Sequence, residues 1–408
     1  MKHLLKKGSI AILLGAGGVG KTTIAAALGI AAAQDGLDTA VITVDPARRL
    51  RDALGVGRLG AGPTRIGARR LRAGGLDPAL KLSALVLDVK GAWDALVERF
   101  AATPAARRRI LENPFYQSLA ADFAGSDAFA ALQQLYDLHQ SAAFDFMVVD
   151  TPPAAHAFEF LNAPARFKRL LDVPAARWLF APGTSAGRLA ARLASRAARF
   201  VVRELERFAG ARVLSTIAEF FAAAAETVEA VVDRLRKTES LLRSRAVRFV
   251  LVTTAQEQRL RQARELIAEM ARDGLQLSAV VINRFTDEWT WEDLCGDPGA
   301  GTSLLLDEIP VLRNRIARGG QRQRGVMALA RYLGEYRDRT LDDIERVRRF
   351  AKELPSHIRI AIAPEIAPGV TNLHSIAEIA NLLMREPDGA HTLARPARTR
   401  AAARGQSR

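Results

Sequence analysis

The chain has 408 residues, 49% of them hydrophobic, and a formal net charge of +15. That length can bury a large core, and the sequence holds no run of eighteen or more apolar residues of the kind that marks a membrane-spanning helix. The single cysteine, Cys295, excludes an intrachain disulfide and any multi-cysteine metal site within the chain, so a cytoplasmic location is expected.

Arginine far outnumbers lysine, and such a balance suits nucleic acid, an acidic membrane or an acidic partner. No aromatic-interleaved basic motif and no nucleic-acid module is present, so no specific nucleic acid is expected; the plain reading is arginine filling solvated faces. The N-terminal Lys-His-Leu-Leu-Lys-Lys imitates the start of a signal peptide. The apolar residues after it have another use.

Ile10 to Leu14 read as a buried parallel strand that breaks at Gly15 into a glycine-rich loop ending in Lys21, Thr22 and Thr23, followed by an alanine-rich helix. This is the P-loop pattern G-x-x-x-x-G-K-T. Gly15, Gly17, Gly18 and Gly20 let the backbone around Val19 turn its N–H groups inward on phosphate oxygens, and the helix N-terminus adds its positive dipole end. Lys21 is then placed for the β- and γ-phosphates, and the Thr22 hydroxyl for Mg²⁺. The same letters satisfy G-x-G-x-x-G, and Asp45 closes the next apolar strand near the distance of a ribose-binding acid, which is the dinucleotide reading. The longer motif is the more specific, because a dinucleotide site has no use for a lysine and a metal-binding hydroxyl directly after its third glycine.

Further strand-like runs fall at Thr39 to Val44, Phe146 to Val149, Phe249 to Thr253, Ala279 to Ile282 and Ile358 to Ile362, separated by helical patterns. The alternation predicts an α/β fold: a P-loop NTPase with a doubly wound, mainly parallel sheet. Two intervals, about 81–139 and 158–244, are too long for simple crossovers and are expected to form a helical subdomain above the carboxyl ends of the strands. Within the second, Arg188, Arg192, Arg196, Arg199, Arg203 and Arg207 recur every three or four residues along one helical ridge. That ridge reads either as a solvated face or as a grip on a partner helix or an anionic membrane. Gly296 to Thr302 imitates a second P-loop but lacks the lysine and a preceding strand. From 385 to 408 the chain is polar and rich in arginine, a basic tail expected to be disordered.

The run Phe146 to Val149 leads into Asp150-Thr151-Pro152-Pro153. A carboxylate at the end of a buried strand beside a P-loop is what a Walker B position requires, since it must reach the Mg²⁺ shell. The pair is therefore read as a site for a nucleoside triphosphate and Mg²⁺, in a domain taken as residues 1–384.

Four motifs in order, Gly15 to Thr23, Val44-Asp45-Pro46-Ala47-Arg48-Arg49-Leu50, Asp150 to Ala157 and Val281-Ile282-Asn283-Arg284, resemble those of the ArsA family of ATPases, in a bacterial branch with one P-loop. The family holds the arsenite-pump ATPase subunit and the targeting ATPase for tail-anchored membrane proteins. The resemblance implies that Asp45, in switch I, activates the attacking water, and that Asp150, Thr151 and Pro152, in switch II, sense the γ-phosphate. It also implies that Asn283 contacts adenine and that Pro364 and Glu365 close the other side of the base.

Three departures shape what is carried over. Ala16 stands where the family has a lysine that crosses a dimer to the partner's phosphates, and Arg48 or Arg49 is the expected substitute cation. The zinc-holding Cys-x-x-Cys pair and the arsenite-binding cysteines are absent, which disfavours metalloid transport. One P-loop excludes a two-halved pump subunit. Two functions stay open: an Mg-dependent ATPase that couples hydrolysis to a conformational cycle on a protein or membrane partner, and a nucleotide-binding regulatory module with negligible turnover. A homodimer, or a heterodimer with a related ATPase, is implied, as is a membrane-protein or acidic-membrane partner that would bring the protein to the inner face of a membrane.

Overall fold

Strand β1 (Ser9–Leu14) is buried at all six positions, as a central parallel strand must be when helices cover both faces of its sheet. Its side chains alternate between two cores. Ile10, Ile12 and Leu14 point to one, and Ala11 and Leu13 to the other. The residues described by the computed structural model are 1–44, 48–56, 62–87, 89–101, 103–117, 126–151, 216, 219–220, 223, 228–285, 321–365 and 372–385.

Seven further strands join β1: β2 (Thr39–Thr43), β3 (Thr64–Arg65), β4 (Leu82–Val86), β5 (Phe146–Asp150), β6 (Val247–Thr253), β7 (Leu277–Phe285) and β8 (Arg359–Pro364). They lie in the order β3-β4-β2-β5-β1-β6-β7-β8, parallel throughout except that β3 runs against β4 at the edge. The α/β, doubly wound reading therefore holds, and every strand expected from the sequence is present. Two were not expected. β3 is only two residues long, and β4 falls at the start of the interval read as helical from about residue 81, where Lys81 and Ser83 interrupt the apolar run.

One core is closed by α1 (Lys21–Gln34), α2 (Arg48–Leu54), α3 (Ala68–Ala73) and α10 (Leu373–Met384). The other face carries α4 (Val89–Phe100), α6 (Ser126–Gln140), α7 (Val228–Leu242), α8 (Glu257–Arg272) and the 33-residue α9 (Gln321–Glu353), with α5 (Pro104–Leu111) beside α4. Trp93, Leu96, Val97, Leu132, Leu135 and Leu235 share this second core with Ile10 and Ile12. The described helices of the two long intervals share the core on this sheet face. Residues 152–215, the arginine ridge among them, lie outside the described residues, as do 296–302 and the tail from 386.

Between α6 and α7 the polar side chains are paired rather than solvated. Arg234, on α7, donates from Nε to Gln133 Oε1 at 2.9 Å, pairs with Asp137 and stacks over the Tyr136 ring at 3.9 Å. A buried guanidinium is tolerated because carboxylate, amide and ring face together replace its water. Among the described residues no helix is long and apolar enough to cross a membrane.

Candidate functional site

In a parallel sheet every strand delivers its carboxyl end to the same edge, and here β1 delivers the glycine loop there between β5 and β6. Gly15 and Gly20 are the positions where only glycine fits. Gly15 has φ +151, and a Cβ on it would collide with the Val252 carbonyl of β6. Gly20 has φ +91, caps α1 in the left-handed region, and would collide with the Asn283 amide. Gly20→Ala is therefore expected to lower the protein's stability by about 1–3 kcal/mol, read as a reduced denaturation midpoint. An unchanged midpoint would mean the loop adopts another path at no cost.

Lys21 begins α1 with only 8% of its surface exposed, and its Nζ donates to the carbonyls of Gly15 at 2.9 Å and Ala16 at 3.2 Å. The ammonium thus sits against the loop it follows. The Thr22 hydroxyl donates to Asp150 Oδ2 at 2.6 Å, joining the start of α1 to the end of β5. Asp150 is 3% exposed, its carbonyl accepts from the Val44 amide at 3.2 Å, and its register partners are Leu13 and Thr43. The Thr151 hydroxyl, the next residue's, donates to the Leu13 carbonyl. One strand end thereby ties together the loop strand, the loop helix and the residue that precedes Asp45.

On the opposite side of β1, Asn283 near the end of β7 is 4% exposed and donates from Nδ2 to the Val19 carbonyl at 2.8 Å. Arg284 follows it with φ +54, and the pairing with β8 shifts register between Ile282 and Phe285. Pro364 pairs with Phe285 across that shift, and the Glu365 amide donates to the Phe285 carbonyl at 3.1 Å. Of the residues singled out in the sequence, Gly15, Val19, Gly20, Lys21, Thr22, Asp150, Thr151 and Asn283 are linked by hydrogen bonds or close approach. Pro364 and Glu365 stand one strand beyond Asn283. Asp45 and Pro152 lie outside the described residues.

The donor set can be judged by its chemistry. Thr22 and Asp150 bring a hydroxyl and a carboxylate to one point, hard oxygen donors that suit a small divalent cation whose other ligands are phosphate and water. Among the described residues no cluster of three or more His, Cys, Asp or Glu side chains offers an all-protein cage. A hollow of about 500 Å³ lined by Arg99, Gln134, Asp137 and Arg234 belongs to the helical layer instead, and both of its guanidinium groups are paired with Asp137.

A mainly parallel sheet, a glycine loop between its central strand and a buried helix, and a carboxylate at the tip of the adjacent strand define the P-loop NTPase fold. Residues 9–182 match the family model described as anion-transporting ATPase, and the chain carries an ArsA-family ATPase domain. It is 32% identical over 291 residues to an uncharacterised protein of Streptomyces coelicolor, covering 69% of this chain and 64% of that one. It is also 29% identical over 176 residues to the ATPase get3 of Schizosaccharomyces pombe, covering 42% of this chain and 48% of the relative. Against the ATPase GET3 of Malassezia globosa it is 29% identical over 157 residues, 38% and 43% of the two chains. The chain spans less than two thirds of the length of these relatives.

Proposed function

We propose that the protein is an Mg-dependent ATPase that couples its nucleotide state to a conformational cycle on a protein or membrane partner. The observation that carries this reading is the Thr22 hydroxyl on the Asp150 carboxylate at 2.6 Å, directly after the loop lysine. In this reading the backbone of residues 15–22 cradles the phosphates, with Thr23 in the helix turn behind it. Lys21 leaves the Gly15 and Ala16 carbonyls for phosphate oxygens, a charge-assisted exchange that favours the anion. Thr22 and Asp150 hold Mg²⁺, which would neutralise charge on the phosphates when bound.

Asp45 takes the role of orienting and activating the attacking water, and Asp150 to Pro152 that of sensing the terminal phosphate. Asn283 contacts the base through the part of its amide not committed to Val19, with Pro364 and Glu365 across from it. The helices of about 81–139 and 158–244 are the element that moves, residues 385–408 form a basic tail, and Ala16 places the chain in a branch without the cross-dimer lysine. A homodimer or a dimer with a related ATPase, cytoplasmic and recruited to a membrane-protein or acidic-membrane partner, completes the proposal.

Steady phosphate release from ATP tests it. Turnover with Mg²⁺ that stops on chelation is the expected result. Tight ATP binding with no phosphate release would instead favour a regulatory module read by its bound state.

A further inference from the structure

Thr254 directly follows β6 at the same sheet edge as the glycine loop, and no feature of the sequence singles it out. It is 9% exposed, and its buried Oγ1 has no hydrogen-bond partner. The preceding threonine shows what local satisfaction looks like here, for Thr253 donates to the Arg259 carbonyl at 3.2 Å. Buried hydroxyls are ordinarily hydrogen-bonded, and an exception beside a binding site points to a group that arrives from outside.

Its position says which group. Val250 and Val252 of β6 and Ala279 and Val281 of β7 lie in the core shared with α1 and Val19, so the alternation of side chains carries Thr254 and Asn283 onto that same face. Thr253 is in register with Ile282, so the next step along both strands sets Thr254 beside Asn283, with neighbouring strands about 4.8 Å apart. The loop itself presses on β6 at Val252 and on β7 at Asn283. Thr22 and Asp150, the phosphate and cation end of the proposed site, lie on the other side of β1.

We infer that Thr254 is a ligand-contacting residue of this site, its hydroxyl hydrogen-bonding the nucleoside part of a bound nucleotide alongside Asn283. The inference rests on the nucleotide reading above. Thr254→Val keeps the shape and removes the hydroxyl; Thr254→Ser keeps the hydroxyl. Binding of ATP and of inorganic tripolyphosphate, each with Mg²⁺, is measured by calorimetry for both variants of the full chain, with the ligand-free melting temperature alongside.

Thr254→Val should weaken ATP about three- to tenfold, leave tripolyphosphate unchanged and not lower the melting temperature, since it removes an unsatisfied group. Thr254→Ser should restore ATP affinity. ATP affinity unchanged in Thr254→Val, or a loss shared equally with tripolyphosphate, would overturn the assignment. So would a fall in melting temperature without selective loss of ATP. Wild-type protein that binds neither ligand would overturn the nucleotide reading itself, and this inference with it.

Discussion

Lys21→Ala is expected to abolish tight ATP binding. Several phosphate negative charges lose their one direct cation from the loop, and a charge-assisted hydrogen bond contributes roughly 1.5–3 kcal/mol, so affinity should fall at least about tenfold. The geometry adds a second cost. Lys21 Nζ bridges the Gly15 and Ala16 carbonyls, and without it those carbonyls turn toward any incoming anion unscreened. Calorimetric titration of wild type and variant measures the difference, and an equal affinity would remove the glycine loop as a phosphate site.

Asp45→Asn should separate binding from turnover. The amide keeps the shape of the carboxylate but cannot accept a proton, so near-normal ATP affinity is expected with phosphate release reduced by about 10²–10⁴. The neighbouring residue is already tied to the site, because the Val44 amide donates to the Asp150 carbonyl at 3.2 Å. Turnover at the wild-type rate would give the task of orienting water to a different side chain.

The loop and its strand were legible because they demand unusual letters: glycine at positions with φ of +151, +79 and +91, then a lysine and a hydroxyl at once. Asp150 was legible for a related reason, a charge closing four apolar residues. β4 was not, since Lys81 and Ser83 break its apolar run and Leu82-Ser83-Ala84 resembles the loop residues before it, although the strand is buried. α9 escaped attention because its charged residues dominate, while its core contact rests on Ile344, Val347 and Phe350 at helical spacing. Thr254 escaped because a threonine at the end of a strand is common, and its significance lies in a missing partner that only three dimensions reveal. The pairing of Asn283 with Val19, separated by 264 positions, belongs to the same class of facts.

The helix that follows the loop is built from small side chains and is buried almost continuously from Ile24 to Ala33. Gly29 lies so close to Val41 of β2 that a methyl group there would collide with it. Packing of this kind leaves no slack, since interiors at crystal-like density have discrete arrangements rather than a soft range of them. α1 can neither slide nor roll without meeting β2 on one flank and α10 on the other. It is the anvil of the molecule: a rigid backing behind the point where Thr22 touches Asp150.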